Sequence, residues 1–370
     1  MLLKSLEVSH VRNLQNLKIV PHPTMNFVVG PNGSGKTSLL EAIYLLASGR
    51  SFRTPLARKI ISHQHAELTV FGEILDAEGI AHRAGISKGL DGDTLVRIDG
   101  ERRERMSDLA ALLPAICIDA SSFELVDGGP SERRHLLDWG LFHVEHDFLE
   151  QWKSYQIAVK QKAMLLRTGN DTRIGQQLRH WNEQQAVWGE KIHAGRIRYV
   201  ESLQLALNRT TANYVGKLPL TIEYRAGWNR AIHPSLQDCL AANVDVELDK
   251  QICAYGPHKA ELLIHWGSGL ARDVCSRGQK KLVLYAVRLA QVMTLFEQRK
   301  LVPLLLLDDM PAELDEHNLR SITTFLRDYP CQTFVTAIHE QALSSALLEL
   351  FQDHRMFHVE HGQLIQTTSA

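Results

Sequence analysis

The chain has 370 residues, 44% hydrophobic and 22% charged, with a formal net charge of −1. That length favours two lobes over one core, the composition is that of an ordinary globular protein, and the charge supplies no global pull towards nucleic acid. No apolar run approaches the ~18 residues of a membrane span, and Met1-Leu2-Leu3-Lys4-Ser5-Leu6-Glu7 acquires charge too early for a signal peptide, so the expected location is cytoplasmic with no membrane partner.

Residues 2–29 read as three short strands carrying Leu6, Val8 and Val11, then Leu17, Ile19 and Val20, then Phe27, Val28 and Val29. The last of these leads into Gly30-Pro31-Asn32-Gly33-Ser34-Gly35-Lys36-Thr37-Ser38, a G-x-x-x-x-G-K-T loop opening a helix with apolar residues at Leu39, Leu40, Ile43, Tyr44 and Leu46 and a stop at Gly49. This is a phosphate-binding loop. Its glycines let successive N–H groups face one concave space at a helix N-terminus, Lys36 would reach the β- and γ-phosphates, and the Thr37 hydroxyl would ligate Mg²⁺. Residues 66–100 alternate β-favouring runs with Gly- and Asp-rich turns, an antiparallel meander rather than βαβ units. Arg102–Leu113 reads as a helix and Ala115–Ile118 as a strand.

From Ser131 to about residue 212 the chain is Pro-free and helical in texture, with Trp152, Tyr155 and Val159, then Trp181, Trp188, Ile192 and Tyr199, at helical intervals. A break at Thr168-Gly169-Asn170-Asp171 predicts an antiparallel helical pair whose tryptophans form the seam. Lys153 to Arg198 holds nine Lys or Arg against three Asp or Glu, a local excess of six. Lys160, Lys162 and Arg167 in that excess are the candidate contacts to the DNA implied by the family resemblance given below, against the reading of a solvated helix face. Leu218–Tyr224 and Glu261–Trp266 read as strands, and 235–252 as a broken helix.

The helix opened by Cys275-Ser276-Arg277-Gly278-Gln279-Lys280-Lys281 starts with three cations, which oppose its dipole unless they face an anion; Ser276 and the Gly278 N–H would contact that phosphate. Pro303-Leu304-Leu305-Leu306-Leu307-Asp308-Asp309 is a buried-strand run ending in two carboxylates. Asp308 would hold Mg²⁺ opposite Thr37, and Asp309 would act as the general base orienting water. A helix begins at Ala312-Glu313-Leu314-Asp315, and Gln332–Ala337 is a strand with His339 beyond it. The five cysteines form no C-x-x-C pair and read as reduced thiols. Phe142-His143-Val144-Glu145-His146 recurs as Phe357-His358-Val359-Glu360-His361, but one copy lies in a helical and the other in a strand context, so the four histidines share no metal geometry.

A P-loop, S-x-G-Q at a helix start, L-L-L-L-D-D and A-E-L-D in that order resemble the ABC-type ATPase head of transporters and chromosome-maintenance proteins. Gly30–Arg53, Gly128–Gly140 (G-G-P-S-E-R-R-H-L-L-D-W-G), Gly256-Pro257-His258-Lys259-Ala260-Glu261-Leu262 and Ser276–Ala290 resemble more closely the RecF family of bacterial recombination mediators, over essentially the whole chain. The resemblance implies an α/β fold: an ABC-type P-loop ATPase head with an antiparallel β annex and an inserted, mainly helical lobe. The expected divisions are 1–128 and 256–370 for the head and 129–255 for the lobe. It further implies ATP sandwiched in a homodimer, with Ser276, Gly278 and Gln279 of one subunit acting on the nucleotide held by the other and Asp315 at the seam. Implied too are binding to gapped or junction DNA, slow, DNA-stimulated ATP hydrolysis, and a role with RecR, RecO and RecA in fork maintenance, recombinational repair and the SOS response. A transporter ATPase subunit is the alternative, disfavoured by the long segment between Lys36 and Asp308. The sequence departs from the transporter pattern in having Asp309 where those heads use Glu, His339 later than their switch histidine, and no glutamine after Ile118, where Asp119-Ala120-Ser121-Ser122 follows.

Overall fold

In a computed structural model, which describes residues 1–168, 174–343, 347–348 and 351–369, side-chain alternation sorts the early strands into two kinds of sheet. β1 (Leu2–Val11), β2 (Leu14–Ile19), β4 (Glu67–Leu75), β5 (Ala81–Gly89), β6 (Thr94–Ile98) and β7 (Glu101–Arg103) form an antiparallel sheet in the order β2-β1-β4-β5-β6-β7. Along β4, Leu68, Val70, Gly72 and Ile74 are buried while their neighbours face outward, the pattern of a sheet with one wet face. The meander is as expected but for its end: Arg102 and Arg103 pair with Arg97 and Val96 in β7, and α2 (Ser107–Leu112) starts later than the helix read from Arg102. The run Glu101–Arg105 is charged throughout and has no apolar period of its own, so pairing with β6 decides its conformation.

The other sheet has the order β15-β14-β3-β13-β12-β8. β3 (Met25–Val29), β8 (Ala115–Ile118), β12 (Leu304–Leu307) and β13 (Thr333–Ala337) are buried along their whole length and run parallel with β14 (His354–Glu360), while β15 (Gln363–Ser369) returns antiparallel. Parallel strands buried along their whole length need cover on both faces. α1 (Lys36–Ser48) supplies part of it, placing Leu39, Leu40, Ile43 and Leu46 in one core with Leu6 and Val70 of the antiparallel sheet and Leu306 and Phe334 of the parallel one. α11 (Met310–Glu313) and α12 (Glu316–Asp328) follow β12.

These elements make up one unit, residues 1–123, 213–216 and 284–370; residues 124–212 and 217–283 make up a second. The second unit contains α3 (Glu124–Asp127), α4 (Pro130–Val144), α5 (Phe148–Thr168), α6 (Ile174–Thr210), α7 (Leu236–Ala242), α8 (Val244–Lys250), α9 (Ala271–Val274) and the first turns of α10 (Arg277–Arg299). Its sheet is β11 (Gly269–Leu270), β10 (Glu261–Trp266) and β9 (Leu220–Arg225). The unit extends past the division expected at 255 because β10 pairs with β9 from Glu261–Arg225 to Trp266–Leu220. Two segments of the family resemblance meet inside it. Arg133 forks onto Glu261 at 2.9 and 3.0 Å and donates to the Leu125 and Gly128 carbonyls, and Arg134 donates to the Ala260 carbonyl.

α5 ends at Thr168, and the break read at Gly169–Asp171 lies outside the described residues. Of the tryptophans expected at the seam, Trp152 stacks in series with Phe148 and Tyr155 of its own helix and has the Arg196 guanidinium of α6 5.7 Å from its ring centre, whereas Trp181 and Trp188 meet His180 and Lys191 of their own helix. Burial corrects one of the three candidate cations. Lys162 is 0% exposed, 2.5 Å from Glu247 and 3.0 Å from Gln185 Oε1, so it is a core ion pair and not a DNA contact. Arg196 is likewise buried on Asp138 and Arg198 bonds Glu145. All three acids lie outside the counted window, so the excess of six overstates the surface charge. Lys160 and Arg167 are exposed. Among the described residues, no helix is long and apolar enough to cross a membrane.

Candidate nucleotide-binding site

β3 delivers the chain into the loop at Gly30, and α1 leaves it at Lys36. Between them Pro31, Asn32 and Gly33 are exposed, whereas Ser34, Gly35 and Lys36 are buried. Ser34 N–H donates to the Pro31 carbonyl, tightening the turn, and Gly35 sits at φ 120, outside what a side chain allows. The Lys36 ammonium donates to the Gly30 and Pro31 carbonyls at 2.8 and 3.1 Å. A cation satisfied by the carbonyls of its own loop stays at the mouth of the cradle, where an arriving phosphate can take their place. Ser38 is held from below, its hydroxyl donating to Asn13 Oδ1 at 2.8 Å.

The second half of the site comes from the C-terminal ends of β12 and β13, where a parallel sheet opens its ligand crevice. The Thr37 hydroxyl lies 3.1 and 3.0 Å from the two oxygens of Asp308, so residues 271 positions apart in sequence share one hydrogen bond. Thr336, at the end of β13, donates its hydroxyl to Asp308 at 2.8 Å and accepts the Asp309 N–H at 2.7 Å. Burial raises the Asp308 carboxyl above its usual range and the Asp309 charge adds to that, while the hydrogen bonds from Thr336 and Thr37 work against it. A hydroxyl and a carboxylate, with no thiolate or imidazole, make a hard-oxygen donor set suited to Mg²⁺. Asp309 has φ 51 and caps α11, which turns the chain sharply at the crevice.

The remaining candidates have structural partners. Ser276 and Gln279 form a reciprocal cap on α10: Gln279 N–H donates to Ser276 Oγ at 3.3 Å, and Ser276 N–H to Gln279 Oε1 at 2.8 Å. Ser276, Arg277 and Gly278 are exposed. Of the three cations in this first turn, Lys280 is 2.6 Å from Asp127, so part of the unfavourable charge is met within the chain. Asp315 is the N-cap of α12, accepting from Asn318 N–H at 2.9 Å. His339 is exposed beyond β13. The first F-H-V-E-H copy runs off the end of α4 and the second off the end of β14.

Three site residues carry no motif. Asn13, in the β1–β2 turn, donates to the Gly33 carbonyl at 3.0 Å and accepts from Ser38, bracing the loop at both ends. Arg12 forks at 2.8 Å onto Glu41, a fully buried carboxylate on α1. The Thr336 hydroxyl, donated to the Asp308 carboxylate, also lies 3.4 Å from the Asp309 carboxylate. Of the three only Thr336 left a signal, as a polar residue inside a run otherwise composed for burial; Glu41, the partner of Arg12, left the same one on α1.

Residues 2–363 match the family model of the RecF/RecN/SMC N terminal domain. The DNA replication and repair protein RecF of Pseudomonas paraeruginosa is 37% identical over 369 residues, 100% of this chain and 99% of that protein. The protein of the same name from Pseudomonas entomophila is 35% identical over 367 residues, 99% of each. Among solved structures, the recombination mediator protein RecF-ATP of the RecFOR pathway superposes with a TM-score of 0.86 at 22% identity, covering 100% of this chain and 97% of that one. An Smc head bound to the C-winged helix domain of ScpA superposes at 0.59 and 14% identity, over 100% and 98%. The fold is that of RecF and Smc ATPase heads, a mixed α/β head with an antiparallel sheet and a helical lobe. With a family model spanning nearly every residue and full-length relatives above one-third identity, the chain belongs to the RecF family.

Proposed function

We propose that the chain is an ATP-gated DNA-binding recombination mediator, whose ATP closes a homodimer on gapped or junction DNA and whose slow hydrolysis releases it. The observation that carries this reading is the Lys36, Thr37, Asp308 and Thr336 cluster, where a phosphate cradle and a hard-oxygen carboxylate site adjoin. The relatives named RecF, and the fold shared with a RecF-ATP structure of the RecFOR pathway, support ATP as the nucleotide and RecR and RecO as companions in the pathway; RecA follows from the family resemblance alone.

Gly30 to Ser38 cradle the phosphates, with loop N–H groups and Lys36 exchanging the Gly30 and Pro31 carbonyls for phosphate oxygens. Thr37 and Asp308 would hold Mg²⁺, which when bound neutralises charge on the phosphate oxygens. Thr336 fixes the Asp308 carboxylate, and Asp309 accepts a proton from the attacking water. Ser276, Gly278 and Gln279 complete the site from the partner subunit, with Asp315 at the seam. Lys160 and Arg167 supply phosphate contacts to DNA. Sedimentation of the full chain with and without ATP and gapped DNA tests the scheme. ATP alone should shift it to a dimer and ATP with DNA to a larger complex; a monomer under all conditions would exclude ATP-gated closure.

A further inference from the structure

The β14–β15 hairpin supplies no residue to the chemistry described above, yet its turn is built against the phosphate loop. β14 runs parallel to β3 with His358 opposite Val29, so the chain leaving β14 arrives beside the chain entering the loop. The Val359 carbonyl occupies the space of a side chain on Gly30; a Cβ there would lie 2.1 Å from it. Gly362, in the turn, donates its N–H to the Ser34 carbonyl at 2.7 Å. It has φ 76, and a Cβ on it would lie 1.9 Å from the Asn13 carbonyl. Asn13 in turn donates to the Gly33 carbonyl. Two successive loop carbonyls, Gly33 and Ser34, are therefore pinned from outside, one by a side chain and one by the hairpin.

Peptide planarity gives these contacts a direction. In a trans peptide the carbonyl and the following N–H point opposite ways, so holding the Ser34 carbonyl towards Gly362 turns the Gly35 N–H to the other side. A phosphate cradle consists of such N–H groups facing one space. Ser34 itself is 3% exposed and its hydroxyl has no hydrogen-bond partner among the described residues, so its side chain offers no alternative anchor. We infer that the β14–β15 turn positions the phosphate loop and that Gly362 is a positioning residue for nucleotide binding, an inference that rests on the nucleotide-binding reading above. By linkage, nucleotide that locks the loop also tightens the turn.

The test compares Gly362→Ala with Gly79→Ala in the full chain. Gly79 has φ 81 but nothing within 4 Å of its Cβ position, so its variant carries the same backbone strain without touching the loop. Calorimetry should show at least a ten-fold loss of ATP and ADP affinity for Gly362→Ala and wild-type affinity for Gly79→Ala. Equal affinities would overturn the inference. Should Gly362→Ala fail to fold, amide exchange in the wild-type chain decides: saturating ATP should slow exchange at residues 360–363, and unchanged exchange overturns the inference. A wild-type chain that binds no ATP would overturn the nucleotide reading itself; one that binds ATP with an indifferent turn would overturn only the role of the hairpin.

Discussion

Lys36 is the phosphate loop's only formal charge, and its ammonium is already dehydrated between two carbonyls. Lys36→Ala is therefore expected to abolish ATP binding, while Lys36→Arg should bind but hydrolyse poorly, because a planar guanidinium cannot place its charge where the ammonium sat. Unchanged affinity of the alanine variant in calorimetry would refute the loop's role. Among the described residues Asp309, unlike Asp308, takes no bond from Thr37; its half-buried carboxylate has the Thr336 hydroxyl at 3.4 Å and keeps an oxygen open to water. Asp309→Asn should bind ATP and persist as a dimer, with turnover at least ten-fold lower. Wild-type phosphate release by that variant would remove Asp309 from the mechanism. At this scale the motif residues were legible because each has a fixed spacing and a distinct chemistry. Asn13 and Arg12 were not: a polar pair in a turn between strands looks like any other, and its role appears only when folding brings it beside Gly33 and Glu41.

The start of α10 serves two purposes, since Ser276 caps the helix while being offered as the contact to the partner's nucleotide. Ser276→Arg should bind ATP yet sediment as a monomer. Ser276→Asp keeps a capping oxygen but sets a like charge against phosphate, so it should also stay monomeric; normal dimers of either variant in ATP would contradict the arrangement in trans. In the lobe, His143, His193 and His258 are held neutral. Burial lowers their pKa values to about 3, about 4 and about 4, and His143 Nε2 has no hydrogen-bond partner among the described residues. Unfolded histidine takes up a proton near pH 6.5, so folding excludes protons below that value. Stability is then complete above about pH 6.5 and falls as pH drops towards 4, by up to about 1.4 kcal/mol per pH unit for each histidine. All six tryptophans lie between Trp139 and Trp266, in the second unit, so denaturation followed by tryptophan fluorescence reads this lobe. Equal unfolding free energies at pH 7.5 and pH 5 would contradict it. Most elements were legible from period alone. β7 was not, because its charged residues take their conformation from β6.

For the whole molecule, DNA binding must come from charge that folding leaves unpaired, and the sequence alone could not separate Lys160 and Arg167 from Lys162, whose partner Glu247 is remote in the chain. Lys160→Gln with Arg167→Gln should flatten the dependence of log affinity on log salt by about 0.9 for each DNA phosphate no longer neutralised, leaving ATP-driven dimerisation intact. Unaltered salt dependence would move the DNA site to Arg102, Arg103 and Arg105 of the head, all exposed. The order of the parallel sheet also reaches into the life of the chain before it folds. β3 lies between β13 and β14, and the earlier of these in the chain, β13, begins at Thr333, whose carbonyl accepts from the side chain of Asn26 307 residues before it. At 5–20 residues per second, a ribosome takes roughly 15–60 s to deliver that neighbour. By the end of that interval the second unit, whose last residue is Val283, has been synthesised, while the strand that will carry the phosphate loop still has neither edge paired.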